Sequence, residues 1–247
     1  MSDIMKITVI SDTHGIIDKD IIPHLKNSDM IIHAGDIMKT SILKQLESYS
    51  DNVIAVAGNN DLPERFSDPE DKEIISKLSK VEQFNIGDNI VTVEHGDRFG
   101  HHPSHDDLRF AYPESKLIIY GHTHNQVCDK TSNPWIVNPG AAGHTRNNDG
   151  GPCYMQIIIE NNNWDIRELN ENNHGEWSIR MSNGLVVRLG RDELNRSLRR
   201  SIMAYAGLAP NYRSSIEYID ARYLGGVALK TFSDNKKVNH VAFTTNH

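Results

Sequence analysis

The feature that most constrains this chain is a pattern repeated five times: a short apolar, β-branched run that stops at glycine with aspartate, asparagine or histidine. Ile7-Thr8-Val9-Ile10 ends in Ser11-Asp12-Thr13-His14-Gly15, and Met30-Ile31-Ile32 ends in His33-Ala34-Gly35-Asp36. Val53-Ile54-Ala55-Val56-Ala57 leads to Gly58-Asn59-Asn60-Asp61. Ile90-Val91-Thr92-Val93 leads to Glu94-His95-Gly96-Asp97, and Leu117-Ile118-Ile119-Tyr120 to Gly121-His122-Thr123-His124. Continuous apolar runs of this length suit strands buried on both faces. Helical segments fit between the early ones, as at residues 41–49, where Ile42, Leu43 and Leu46 share one face. The expectation is an α/β fold. In open α/β sheets ligands bind beyond the carboxyl ends of the strands, so five such tips can converge on one site.

Composition narrows the partners. The 247 residues carry 26 basic and 33 acidic side chains, a net charge of −7, with no Lys/Arg block; this excludes a nucleic-acid binder driven by bulk charge. Two cysteines, Cys128 and Cys153, rule out a disulfide framework. Apolar runs of about five residues fall far short of the roughly 20 that cross a bilayer, and residues 1–6 lack a signal-peptide layout. The expectation is a cytoplasmic protein with no membrane partner. Histidine is abundant: ten of the 13 lie before residue 145.

The tips supply a particular donor set. Asp12 and His14 are two residues apart, as are His122 and His124, so in extended backbone each pair projects to one side. Asp36, Asn59 and His95 arrive singly. Two carboxylates, one amide and four imidazoles suit borderline or hard divalent ions such as Mn, Fe, Ni or Zn, and the lack of thiolates argues against a structural zinc site. Seven ligands exceed one tetrahedral ion. Shared through one bridging carboxylate they suffice for two ions about 3.5–4 Å apart, the spacing of two-metal phosphoester chemistry. Each motif alone is weak, since glycines at strand ends also serve tight turns; five in succession are not explained by turns.

Residues 5–169 resemble the calcineurin-like metallophosphoesterases of the compact bacterial and archaeal YfcE type. The resemblance rests on Ser11-Asp12-Thr13-His14-Gly15, Gly35-Asp36, Gly58-Asn59-Asn60-Asp61, His95-Gly96, Gly121-His122-Thr123-His124 and Asn138-Pro139-Gly140. It implies two packed mixed β-sheets flanked by helices. It also implies that Asp12, His14, Asp36 and His124 hold one metal, with Asp36 bridging to a second held by Asn59, His95 and His122. Two divalent ions, with Mn foremost and Ni, Fe, Zn or Mg as alternatives, would generate a bridging hydroxide that attacks a small-molecule phosphate ester, most readily a phosphodiester. Asp36, Asn59, Asn60 and His95 are the expected catalytic positions. Asn60 departs from much of the superfamily, which has histidine there. An amide donates a hydrogen bond but is no general acid, so diesters or esters with good leaving groups are the expected substrates.

Other residues carry weaker signals. His101, His102 and His105 follow the fourth motif, and either line the substrate pocket or occupy a solvated loop. His24 reads as helix surface and His33 as strand packing. His144 and Arg146 follow the Asn138-Pro139-Gly140 motif and could meet substrate phosphate. Cys128 and Cys153 read as buried or half-buried neutral thiols.

After residue 160 the composition changes. Trp164, Ile166 and Leu169 alternate as a last strand, and polar residues 170–175 read as a linker, dividing the chain into a phosphoesterase domain, 1–170, and a remainder, 171–247. Within the remainder, residues 177–181 and 185–189 flank the hairpin turn Asn183-Gly184. A helix to about residue 206 presents Leu194, Leu198, Ile202 and Tyr205, and two strands follow at residues 215–222 and 226–231, making a small ββαββ α+β segment with a frayed polar tail, 233–247. This segment resembles the carboxyl-terminal part of the cell-division protein FtsQ through Trp177, Asn183-Gly184, Leu189-Gly190-Arg191, Tyr218-Ile219-Asp220-Ala221-Arg222-Tyr223 and Gly226. That implies protein–protein contact through its strands.

Three functions compete: a dinuclear metallophosphoesterase, a non-catalytic scaffold on the same fold, and a division-complex binding module. All seven ligand positions are filled, which favours the first.

Overall fold

A computed structural model describes residues 4–143, 150–172 and 174–232. The chain divides into two compact units, Met1–Glu168 and Leu169–His247. The first contains strands β1 (Ile4–Ile10), β2 (Met30–His33), β3 (Val53–Ala55), β4 (Val81–Ile86), β5 (Asn89–Glu94), β6 (Leu117–Ile119), β7 (Gln126–Asp129), β8 (Trp135–Pro139) and β9 (Gly150–Glu160). Strand β10 (Asn163–Asn172) continues past the boundary. Helices α1 (Ile22–Lys26), α2 (Thr40–Glu47), α3 (Pro69–Ser76) and α4 (His105–Ala111) complete the unit.

One sheet runs β10-β9-β1-β2-β3 and the other β4-β5-β6-β8-β7. Both are mixed. β1, β2 and β3 are parallel while β9 is antiparallel to β1, and β5, β6 and β8 are parallel between antiparallel edges. Side chains of both sheets meet in one apolar layer that includes Ile7, Val9, Ile32, Val91, Val93, Leu117, Ile119, Val137 and Met155. On α2, Ile42, Leu43 and Leu46 are buried. On α4, Leu108 packs with Ile118, Tyr120 and Ile136 of the second sheet. The expected two mixed sheets flanked by helices are therefore the fold of this unit.

The five runs read as strands are β1, β2, β3, β5 and β6, and each chain exit at their carboxyl ends carries the polar motif. Strands β4, β7, β8 and β9 were not anticipated. β4 and β7 are edge strands: β4 alternates only over residues 83–86, and β7 is half-buried throughout, patterns too short to read.

The second unit contains β11 (Trp177–Arg180), β12 (Val186–Gly190), α5 (Leu194–Gly207), α6 (Pro210–Arg213), β13 (Ile216–Asp220) and β14 (Ala228–Thr231), with α6 unforeseen. The presumed linker is instead ordered: β10 runs to Asn172, Asn170 accepts a bond from Ser178 Oγ at 2.7 Å, and the Asn172 backbone N–H donates to Glu176 at 2.9 Å. The α5 face also differs. Of the expected face, Leu194, Leu198 and Tyr205 are half-buried, but Ile202 is exposed and Ser197 and Ser201 take the buried positions. The frayed tail, 233–247, lies outside the described residues.

Ile119 is fully buried in the layer between the sheets. Ile119→Ala should lower unfolding stability by about 2–5 kcal/mol in urea titration; a loss below about 1 kcal/mol would mean that this layer tolerates a void.

Candidate metal centre

The expected ligands sit on strained backbone. Nine non-glycine residues among those described have positive φ, and five of them are Asp12 (51°), His14 (46°), Asp36 (57°), His122 (67°) and His124 (58°). Left-handed backbone is uncommon for such residues and is retained where surrounding structure enforces it. This changes the reason the pairs converge. Asp12/His14 and His122/His124 come together through left-handed turns after β1 and β6, not through extended alternation.

Two groups of candidate ligands have donor atoms mutually within 4.8 Å: Asp12, His14 and His124, and Asp12, Asp36 and His95. His14 Nε2 and His124 Nε2 approach to 3.2 Å, and His124 Nε2 lies 3.2 Å from Asp12 Oδ1. His95 Nε2 lies 3.4 Å from Asp36 Oδ1 and 4.0 Å from Asp12 Oδ1. His122 belongs to neither group, but its ring meets His95 edge-on at 5.2 Å and its backbone N–H donates to Asp12 Oδ2 at 3.1 Å. Asn59 follows Gly58, where a Cβ would collide with Asp36. At Gly35, φ is +94° and a Cβ would lie 2.6 Å from His95 Nδ1. Both glycines are thus required by close approach.

Three atoms decide what the cluster can hold. Asp12 Oδ1, Asn59 Oδ1 and His95 Nε2 are buried and have no hydrogen-bond partner among the described residues. An unsatisfied buried polar atom costs about 1–3 kcal/mol, so three together demand an occupant. Carboxylate oxygen, amide oxygen and imidazole nitrogen are the donor atoms of a hard-to-borderline cation site, and the residues fit divalent metal. His95 Nδ1 donates to the Ala34 carbonyl at 2.8 Å, which turns Nε2 towards Asp36 and Asp12.

Supporting residues fix the loops. Asp61 accepts bonds from the backbone N–H groups of Ile37 (3.0 Å), Met38 (2.8 Å) and Gly58 (2.9 Å), tying the second and third motifs together. Asn138 donates to the Gly121 carbonyl at 2.6 Å and to Thr123 Oγ1 at 3.1 Å. His33 Nδ1 accepts from Gly35 N–H at 3.2 Å and Nε2 meets Thr13 Oγ1 at 3.0 Å. Burial pushes His33 down to about 4, against the charges of Asp61 and Asp12, so it is a neutral packing residue. Asn60 donates its side-chain amide to Asp36 Oδ2 at 2.6 Å and its backbone N–H to Asp36 Oδ1 at 2.9 Å. Arg65, which the sequence reading passed over, donates to the Asn60 carbonyl oxygen.

Of the secondary candidates, His101 and His102 are both exposed, and His101 stacks on His122 with centroids 6.1 Å apart. His105 pairs with Asp129 at 2.7 Å. His24 is half-buried against Tyr154 rather than on the surface. His144 and Arg146 lie outside the described residues. Cys153 is buried, and burial pushes the half-buried Cys128 thiol up to about 11, so Cys128 is neutral.

Burial opposes charge on His95, but Asp36 and Asp12 outweigh it and push its pKa up to about 9. Burial also opposes ionisation of Asp36, yet His95 and Asn60 hold it well below the usual carboxylate range. A ligating imidazole must be neutral, so cation binding below pH 9 releases the His95 proton. Affinity for a divalent ion should rise with pH between about 6.5 and 8.5, by as much as about tenfold per unit for one proton released. Chelator-competition titrations that gave a flat profile would contradict this.

No helix among the described residues is long and apolar enough to cross a membrane. A phosphodiesterase of Methanocaldococcus jannaschii is 30% identical over 150 residues, covering 55% of this chain and 83% of that protein. A probable metallophosphoesterase of Mycoplasma genitalium is 29% identical over 165 residues, 63% of this chain and 88% of its own. In fold, Vacuolar Protein Sorting 29 from Cryptosporidium parvum aligns with TM-score 0.62 at 18% identity, over 72% of this chain and 97% of that one. Residues 155–222 match the profile described as cell division protein FtsQ/DivIB, C-terminal. FtsQ of Haemophilus influenzae is 29% identical over 91 residues, 32% of this chain but only 36% of that protein. Residues 5–162 match the calcineurin-like phosphoesterase superfamily domain, and this chain belongs to that superfamily.

Proposed function

We propose that this chain hydrolyses phosphate esters, phosphodiesters foremost, at two divalent ions held by seven residues. Asp12, His14, Asp36 and His124 would hold one ion, and Asp36, Asn59, His95 and His122 the other. The observation that carries the reading is the trio of buried, unpartnered donor atoms on Asp12, Asn59 and His95. The phosphodiesterase relative supports the reaction class. When bound, such ions supply positive charge to the phosphoryl oxygens and a water acidic enough to attack phosphorus near neutral pH; manganese is the proposed native metal, with Ni, Fe, Zn or Mg compatible.

The chain's own residues orient this chemistry. Ala34 fixes the His95 tautomer, and Asn60 grips both oxygens of Asp36, the assigned bridging carboxylate. With both its N–H donations to Asp36 made and its chemistry lacking an acidic proton, Asn60 does not protonate a leaving group. Substrates whose leaving oxygen departs as a stable anion are therefore preferred. No serine or cysteine nucleophile is needed. A purely scaffolding role is disfavoured by the full ligand set, and protein contact through the FtsQ-like strands remains a separate, additional role of the second unit.

Asp36→Asn should weaken both ions at once, lowering metal content and reducing kcat/KM on bis-p-nitrophenyl phosphate by at least about a hundredfold; near-normal turnover would refute a bridging Asp36. All seven ligands precede residue 125. A truncation ending at Asn170 should fold, bind metal and keep its diesterase activity. A soluble, metal-loaded truncation slowed by more than about tenfold, roughly 1.4 kcal/mol of transition-state stabilisation, would show that the second unit serves the reaction.

A further inference from the structure

We propose that Arg65 is the substrate-contacting cation of this centre: a permanently charged donor to the phosphoryl oxygens that stands in for the histidine missing at Asn60. The proposal rests on the two-metal phosphoesterase reading above. Arg65 ends the 3-10 turn Pro63–Arg65, directly after the Gly58-Asn59-Asn60-Asp61 motif. Its Nη1 donates to Asn60 Oδ1, and the nitrogen of that same carboxamide donates to Asp36 Oδ2 at 2.6 Å. One amide group therefore separates the guanidinium from the assigned bridging carboxylate.

What Arg65 lacks is as informative. Other arginines of the first unit neutralise carboxylates: Arg98 with Glu94, Arg109 with Asp129 and Arg167 with Asp165. Among the described residues Arg65 forms no ion pair, although the chain has 33 acidic against 26 basic side chains. Its hydrogen-bond acceptor is a neutral carbonyl, which engages one of five N–H donors. The side chain is exposed, so the remaining donors are open to a ligand. A guanidinium with free N–H groups matches the paired oxygens of a phosphoryl group.

The chemistry sets the substrate class. As a water oxygen bonds to phosphorus it releases a proton to solvent, the bond to the leaving oxygen breaks and the electron pair stays on that oxygen. Arg65 offsets negative charge on the phosphoryl oxygens but keeps its own protons, because guanidinium does not deprotonate in proteins. The leaving oxygen must therefore depart as an anion, as in aryl phosphodiesters or phosphoanhydride-linked esters.

The test compares wild type, Arg65→Ala and Arg65→Lys, each loaded with saturating Mn²⁺ and checked for metal content. Arg65→Ala should lose about tenfold to a hundredfold in kcat/KM on bis-p-nitrophenyl phosphate, the scale of a charged hydrogen bond. It should bind inorganic phosphate at least tenfold more weakly by calorimetry, and Arg65→Lys should recover part of both. If saturating Mn²⁺ restores Arg65→Ala to wild-type kcat/KM, Arg65 acts only by holding Asn60 and the proposal is wrong. Unchanged phosphate affinity in a metal-loaded Arg65→Ala protein overturns it equally. A wild type that neither binds Mn²⁺ nor cleaves the diester would bring down the two-metal reading itself, and this proposal with it.

Discussion

Burying Asp12, Asp36 and His95 together is the constraint on which the rest of the first unit depends. All three are almost fully withdrawn from water, and charges in such surroundings are tolerated only when paired or coordinated. Part of the cost is offset internally, since His95 and Asp36 favour each other's charged forms. Asp12 Oδ1 and Asn59 Oδ1 stay buried without a hydrogen bond, and His95 Nε2 has only its 3.4 Å approach to Asp36. Two parallel strand sets, β1-β2-β3 and β5-β6, make the gathering possible by delivering their carboxyl ends to one place. Asp61 and Asn138 then hold the left-handed loops against relaxation.

The strands that feed the site were legible because burial on both faces leaves uninterrupted apolar runs, and because each run ends in the same polar chemistry. That repetition also marked Asp12, His14, Asp36, His95 and His124, whose donor atoms the structure brings within 4.8 Å of one another in two groups sharing Asp12. The edge strands β4 and β7 carry a weaker imprint: in β4 only Phe84 and Ile86 face the core, between exposed Gln83 and Asn85, and every residue of β7 is half-buried. The supporting bonds were equally hidden. Asp61 acts on backbone N–H groups of loops whose left-handed conformation no periodicity announces. Arg65 has no pattern of its own and gains meaning only beside Asn60. In α5 the stripe was only partly right: Leu194, Leu198 and Tyr205 are half-buried, but serines 197 and 201 take the innermost positions and Ile202 points out.

The second unit poses a different question. Its family match begins at residue 155, inside β9, and overlaps the phosphoesterase match, which ends at 162. The two matches therefore share only residues 155–162, the end of β9 and the turn after it, and in the polar stretch beyond, Asn170 and Asn172 hydrogen-bond to Ser178 and Glu176. All seven proposed ligands belong to the first unit.

Metal stoichiometry tests the central claim most directly. Calorimetric titration of the metal-free protein with Mn²⁺, checked by elemental analysis after gel filtration, should give two ions per chain, with diesterase activity rising as the second site fills. A stoichiometry of one, or full activity in a protein carrying a single ion, would contradict the two-metal account.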